Sequence, residues 1–395
     1  MAKKYILGVD VGTGSIKAFA GTVDEAGNVA ILGSGTAAAA GISKGAWVNV
    51  RALAAAIKEA TDSATRAAKM PADCIYLGIG GPAVTSVNSI GSITIFAISA
   101  ITSADVERVY RAAVTTIDSA DQRILNALPI NFSLDGEKIA GEPVGQSGTL
   151  LAVETHIVTV SESVIGDLVT ALAAQGIHPA EIFANSIACA KGLADTADET
   201  DFLVMDIGAG VTDLVLYSEG KIVVSASLPL GGDYITNDIA QGVVVTRPHA
   251  EEIKHYYARL NKRLLGQDVM LDCNDYGTTD KQLSYDYLHN IVESRVEEIV
   301  SILYGYMEPS LASYSIKKIL LTGGGSLLPS VSESLNRTFE VPVQLVNPDH
   351  LPAEYAHPAN SACFGILSYA ARAFPAKPVP ESGWRSLLGK LKEFI

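Results

Sequence analysis

The sequence predicts a mixed α/β protein made of two related halves with a ligand cleft between them. Three observations carry this. An apolar strand that delivers an aspartate to a glycine turn, followed by a second apolar strand, occurs twice: as GVDVGTGSIKAFA around Asp10 and as MDIGAGVTDLVLY around Asp206. A further apolar strand, Ile319 to Leu321, runs into a third glycine turn, Gly323-Gly324-Gly325. Between the two copies lies a stretch with strand and helix signals of its own.

Taken in order, Tyr5 to Val9 and Ala18 to Val23 are apolar strands, Asp24 to Asn28 is a turn, and Val29 to Gly33 is a third strand. Short apolar runs separated by polar turns make a meander. Val50 to Ala68 is alanine-rich, with Leu53, Ala56, Ile57 and Ala60 at helical spacing. Ile75 to Ile79 reads as a buried strand closed by Gly80-Gly81-Pro82. Thr102 to Ile117 reads as a helix: Thr102 and Asp105 form a capping box, and Val106, Val109, Tyr110, Ala113, Val114 and Ile117 recur on one face. Strand signals surround it at Ser92 to Ile98, Arg123 to Ile130 and Leu151 to Val160, so 84–160 is expected to be a small inserted α+β subdomain. The first half then takes 1–83 with 161–194 and 357–372. The second takes 195–242 and 307–356, with a small subdomain at 243–306. Leu203 to Leu216 and Ile222 to Leu228 form its meander.

With 395 residues and 48% of them hydrophobic, the chain can bury two or more cores. Its formal net charge of -14 argues against a nucleic-acid surface, since a phosphate backbone demands a basic footprint. Cys74, Cys189, Cys273 and Cys363 stand far apart without a CxxC pair, which reads as buried thiols in a reducing cytoplasm. The first apolar run is too short for a signal peptide, and no run approaches the roughly 20 apolar residues of a membrane span.

Glycine turns let backbone N–H groups approach phosphate oxygens closely. Gly12, Thr13 and Gly14 could cradle one phosphate edge, with Ser15 as a hydroxyl donor and Lys17 as countercharge. Gly208, Ala209 and Gly210 could cradle the other, with Thr212 nearby. Asp10 and Asp206 stand at strand ends, where carboxylates can hold a hydrated Mg2+ through its waters; Asp213 is a third candidate, or a loop anchor. One DxGxG motif alone is as readily a tight hairpin. Two matched copies plus Gly323 to Gly325 point to a nucleotide. No GxxxxGK[ST] loop is present, and GTGSIK lacks the third glycine and following acid of a dinucleotide fingerprint.

These motifs resemble the actin, Hsp70 and sugar-kinase superfamily. DVGTGSIK would be its first phosphate loop, MDIGAGVTD its second and LTGGGSLLPS its adenosine loop, which includes Ser326. Ala184 to Ala190 and HPANSACFGIL would be its two hinge helices. The resemblance implies an actin-like (ribonuclease H-like) fold and an ATP cleft. Within it, the chain is similar to the FtsA family of bacterial division proteins. GISKGAWVNVRALAAAIKEA, DQRILNALPINFSLDG, EPVGQSGTLLAVETHIVT, LPLGGDYITNDIAQG and HNIVESRVEEIVSIL carry that similarity. It implies that Gly231 and Gly232 approach the nucleotide and that Glu252 and Lys254 lie near the ribose and base. One departure stands out. Many relatives place a water-orienting glutamate near the first hinge helix, where this chain has Asn185. An amide orients water but cannot take its proton, so hydrolysis is expected to be slow at most.

From Phe374 to Gly383, Pro375, Pro378 and Pro380 suggest an extended linker, assigned to 373–383, ahead of a helix at 384–395. Trp384, Leu387, Leu388, Leu391 and Ile395 share one helical face beside Phe394, while Arg385, Lys390 and Lys392 lie off it. A strong apolar face with basic flanks and an interfacial Trp fits a helix lying in a membrane surface rich in anionic lipid. The family resemblance implies a protein that binds ATP, polymerises with itself and tethers the FtsZ ring to the cytoplasmic face of the membrane at the division site. Its expected partners are the C-terminal peptide of FtsZ, received around Gln282 to Ile299, and later divisome proteins, met through the inserted subdomain. A small-molecule kinase, a chaperone-type ATPase and a type IV pilus assembly scaffold are the competing readings.

Overall fold

The computed structural model describes residues 4–24, 28–95, 100–117, 121–260, 265–272, 282–348 and 351–372. The expected linker 373–383 and helix 384–395 lie outside these residues, as does Cys273.

The first half opens with strands β1 (Lys4–Val11), β2 (Ser15–Val23) and β3 (Val29–Ala38), an antiparallel meander in which Asp10 stands opposite Lys17. A short hairpin follows, β4 (Ile42–Ser43) and β5 (Ala46–Trp47). Helix α1 (Val50–Ala68) starts where the Asn49 side chain accepts from the Ala52 N–H at 3.1 Å, and it ends at Lys69 in a left-handed conformation. Its apolar face, Leu53, Ala56, Ile57 and Ala60, is buried as the spacing predicts. Strand β6 (Cys74–Ile79) pairs parallel to β1.

The inserted segment contributes β7 (Val84–Thr94), α2 (Ser103–Val114), β8 (Gln122–Leu134), β9 (Glu137–Ile139) and β10 (Leu150–Ser161). The strands form a separate sheet in the order β7-β10-β8-β9. The capping box is present, with Thr102 and Asp105 satisfying each other's backbone N–H groups. Val106, Val109 and Tyr110 of α2 bury against Leu151 and Val153. The strand expected at Ser92 to Ile98 starts earlier, since β7 runs from Val84 to Thr94, and residues 96–98 of that expectation lie outside the described residues. Its polar alternation hid it, because one of its edges meets polar groups of the second half.

The chain returns through α3 (Glu162–Ala173) and β11 (Glu181–Ala184) into α4 (Asn185–Leu193). The second half opens with β12 (Phe202–Ile207), β13 (Thr212–Ser218) and β14 (Lys221–Leu228), a meander in which Asp206 stands opposite Asp213. Helices α5 (Gly232–Val243) and α6 (Arg247–Tyr257), strands β15 (Met270–Asp272) and β16 (Gln282–Ser284), and helix α7 (Tyr285–Leu311) follow. Strand β17 (Lys318–Thr322), helix α8 (Pro329–Phe339), strand β18 (Val343–Leu345) and helix α9 (Ser361–Arg372) complete the described chain. The two large sheets run β3-β2-β1-β6-β11 and β14-β13-β12-β17-β18, each an antiparallel meander extended by two parallel strands. The duplication visible in two loops thus extends to whole sheets, and the fold is actin-like.

The inserted sheet meets the second half through a buried histidine. His156 is 1% exposed. Its Nδ1 lies 2.7 Å from Asn88 Oδ1 and its Nε2 2.8 Å from Ser225 Oγ. Asn88 Nδ2 donates to the Val223 carbonyl, so Asn88 Oδ1 accepts from Nδ1–H and Nε2 accepts from Ser225. Burial pushes the imidazole down from 6.5 to about 4, so it is neutral in the folded protein. The unfolded chain takes up that proton first, so stability falls as pH drops from 6.5 towards about 4. The full loss is on the order of 3 kcal/mol. Urea unfolding across this window should show it in the native protein and much less of it in His156→Gln; equal acid sensitivity in both would refute the assignment.

Candidate nucleotide-binding site

Asp10 and Asp206 end matching central strands and face one cavity of about 290 Å3. The first glycine loop lines it from Gly12 through Ser15 together with Lys17, and the second lines it with Gly208, Ala209 and Gly210. Gly323 and Gly324 close a third side, beyond β17. The loops touch: a Cβ added to Gly210 would fall 2.6 Å from Thr13 Cγ2, and one on Gly14 2.9 Å from the Ala209 Cβ. Neither position takes a side chain without a shift of the facing loop.

The carboxylates are crowded. Burial raises all three, and the charges of neighbouring aspartates raise Asp206 and Asp213 further, to about 6 and about 8. Burial raises Asp10 as well, offset by the Lys17 charge and a hydrogen bond from Asn185. Lys17 Nζ also donates to the Ala359 carbonyl. Helix α4 serves both strand-end acids. Asn185 Nδ2 donates to Asp10 Oδ1 at 2.8 Å, and the Cys189 thiol, one turn on, donates to Asp206. Asn185 is buried, and its Oδ1 has no hydrogen-bond partner among the described residues.

Such a set of hard oxygen donors, whose ionised forms burial disfavours, gains from a divalent cation. No three His, Cys, Asp or Glu side chains among the described residues converge to chelate one directly. The fit is to a hydrated cation held through its waters, as Mg2+ is held beside phosphates. Asp10 and Asp206, which both line the cavity, would be the residues to hold it.

A second cavity of about 390 Å3 adjoins the first, sharing Gly208, Ala209, His255 and Gly324. Gly232, Gly325 and Lys254 line it. Lys254 is buried, and its Nζ donates to the Gly232 carbonyl, to Thr236 Oγ1 and to Glu251 Oε2 at 3.2, 2.8 and 2.8 Å. Glu252 is exposed and does not line the cavity; Glu251 does. The helical period decides this. Positions 251, 254, 255 and 258 share a face, while 252 turns about 100° away from 251. Three further expectations move from lining to support. Thr212 Oγ1 donates to the Leu230 carbonyl at 2.9 Å, and Ser326 Oγ to the Gly323 carbonyl at 2.6 Å, so each braces a loop from behind. Gly231 lies against the second loop, where a Cβ would fall 2.5 Å from the Ala209 carbonyl oxygen.

Sequence reasoning missed Gly45, Gly80, Glu251, His255 and Cys189. The i, i+4 step from Asn185 would have found Cys189, and the i, i+3, i+4 pattern of α6 would have found Glu251 and His255. Gly45 sits at the β4–β5 turn, where its N–H donates to Thr13 Oγ1 at 3.2 Å; only the Lys44-Gly45 turn signal hinted at it. The tail residues Trp384 to Ile395 lie outside the described residues.

Comparison with known proteins agrees with this architecture. The family model for "Cell division protein FtsA" matches residues 203–365, and that for "SHS2 domain inserted in FTSA" matches residues 81–159. The chain is 31% identical over 372 residues to the cell division protein FtsA of Pseudomonas aeruginosa, covering 93% of this chain and 89% of that protein. It is 28% identical over 408 aligned positions to that of Neisseria meningitidis, covering 100% and 98%. Among solved structures it resembles a PilM–PilN type IV pilus biogenesis complex (TM-score 0.66, 20% identity, 93% of this chain and 98% of that chain). It also resembles MreB 5 of Spiroplasma citri bound to AMPPNP (TM-score 0.52, 14% identity, 92% and 94%). At those identities the structural likeness establishes the actin-like fold alone. Full-length sequence similarity together with the inserted-domain match places the chain in the FtsA family of cell division proteins.

Proposed function

We propose that the protein binds Mg-ATP in the cleft, assembles with copies of itself in that state, and tethers FtsZ to the cytoplasmic face of the membrane at the division site. The observation that carries the reading is the meeting of two glycine-aspartate loops, one from each half, around a single cavity. A ligand gripped by both halves favours the closed cleft by its differential affinity for that state. Asp10 and Asp206 hold the hydrated Mg2+, which supplies positive charge against the phosphates. Lys17 and the backbone N–H groups of both loops hold the phosphates. Lys254, Glu251 and Gly325 flank the nucleoside end, and Asp213 keeps the second loop in place. Asn185 is engaged with Asp10 and offers no carboxylate to an attacking water, so turnover is slow and ATP serves mainly as a conformational ligand.

The C-terminal peptide of FtsZ docks around residues 282–299, later divisome proteins meet the inserted subdomain, and the basic amphipathic tail supplies the membrane contact. A pilus-assembly role is the second reading, favoured by the resemblance to the PilM-containing structure. The basic tail weighs against it. Each of Arg385, Lys390 and Lys392 contributes on the order of 1 kcal/mol at an anionic leaflet.

Co-sedimentation with anionic liposomes and FtsZ, with and without ATP, tests the reading. Deleting 384–395 should cut liposome binding about a hundredfold or more, because three basic contacts and the apolar face are lost together. Undiminished binding would refute the tail's role, and failure to recruit FtsZ would refute the tether.

A further inference from the structure

A line of buried and part-buried hydrogen bonds runs from the phosphate end of the cleft into the inserted subdomain, and β14 is its spine. Asp213 lines the cavity, and Ser227, its cross-strand partner on β14, donates to its carboxylate. The same Ser227 Oγ accepts from the Gly81 N–H at 2.6 Å. Gly80 lines the cavity, and Gly81 is where the match to the inserted domain begins. Gly81 has a φ of +97°, and a Cβ there would fall 2.4 Å from the Gly45 carbonyl oxygen. The backbone at this junction is therefore wedged between Ser227 and the β4–β5 turn.

Beyond Gly81 the chain becomes β7, and β7 stays fastened to β14. Ser86 Oγ donates to the Ser225 carbonyl at 2.6 Å, and Asn88 Nδ2 to the Val223 carbonyl at 3.1 Å. His156, from the neighbouring β10, takes the Ser225 hydroxyl. Positions 223, 225 and 227 alternate along β14, so their contacts recur at the two-residue strand period. Apolar packing is non-directional and tolerates sliding, whereas these bonds fix one register.

We propose that Ser227 is a positioning residue, and that β14 transmits occupancy of the phosphate end of the cleft to the orientation of the inserted subdomain against the second half. The proposal rests on the nucleotide reading given above. A ligand that resets the Asp213 carboxylate resets the Ser227 hydroxyl, and with it the N–H at the root of the inserted subdomain. Ser86, Asn88 and His156 then make the rest of that sheet follow. Surfaces on the inserted subdomain would be presented differently with and without nucleotide.

Spin labels at Ala104→Cys in α2 and Ser301→Cys in α7, with Cys74 and Cys273 replaced by alanine, report the distance between the two bodies. Titration of the same samples with a fluorescent ATP analogue reports binding separately. The label distance should shift on adding Mg-AMPPNP. In Ser86→Ala/Asn88→Ala, which leaves the cleft untouched, affinity should stay within about threefold while the shift falls by about half or more. Ser227→Ala should also lose the shift. Binding with no shift in the parent, or a full shift in both variants, would overturn the link alone. Absence of binding in the parent would overturn the nucleotide reading and the link with it.

Discussion

Asp206→Asn is expected to have opposite effects on two measurements. It should stabilise the ligand-free protein at pH 8 and weaken Mg-ATP binding about 10- to 100-fold, the usual cost of losing a group that holds a metal's outer shell. The sign follows from linkage. The folded value of Asp206 is raised from 3.8 to about 6 by burial and by the Asp10 charge, so the folded state holds the proton more tightly than the unfolded chain. The resulting penalty is absent below pH 3.8, grows as pH rises to about 6, and persists above it. A neutral amide of the same shape escapes the penalty and still accepts the Cys189 thiol. It also removes one of the charges that raise Asp213. Thermal unfolding without ligand should therefore separate the variant from the native protein at pH 8 and bring them together near pH 4. Lower stability of the variant at pH 8, or unchanged affinity for Mg-ATP, would contradict the placement of this carboxylate.

Gly365→Ala should be among the more damaging single methyl groups in the described structure. Helices α4 and α9 cross there so closely that a Cβ would fall 2.2 Å from the Ala188 carbonyl oxygen and 2.6 Å from its carbon. Those are backbone atoms in mid-helix. Moving them moves Asn185 and Cys189, which hold Asp10 and Asp206. A loss of about 3 kcal/mol is expected, at the upper end for an overpacked core, with weakened nucleotide binding beside it. Gly166 in α3 is the control. A Cβ there meets nothing within 4 Å, so Gly166→Ala should gain on the order of 0.5–1 kcal/mol. Urea denaturation compares the two; equal stability would sink the argument.

Much of this could be read in the sequence because its signals are local. The two aspartate-glycine turns, the apolar face of α1 and the Thr102–Asp105 cap each depend on residues within a few positions of one another. The strand β7 was harder. Its Ser86 and Asn88 satisfy carbonyls of β14, more than a hundred residues away, so its pattern looks like a loop until that partner is present. Glu251 and Glu252 are adjacent and chemically alike, and only the rotation of α6, set by Ile253 and Tyr257 entering the core, separates the cavity residue from the solvated one. Gly365 gives no local sign that it is a crossing point. Thr212 and Ser326 sit beside glycine loops in sequence, yet their hydroxyls are spent on the Leu230 and Gly323 carbonyls.

One pairing described above sets a direction. Asp10 faces Lys17 across its hairpin, and Asp206 faces Asp213 across the matching one. A copied scaffold thus carries a cation at a point where its twin carries a buried carboxyl group. The electric field between the halves has a polarity that the backbone symmetry alone would forbid. A row of phosphates bound as proposed, more negative at its free end, would have one favoured way round in that socket.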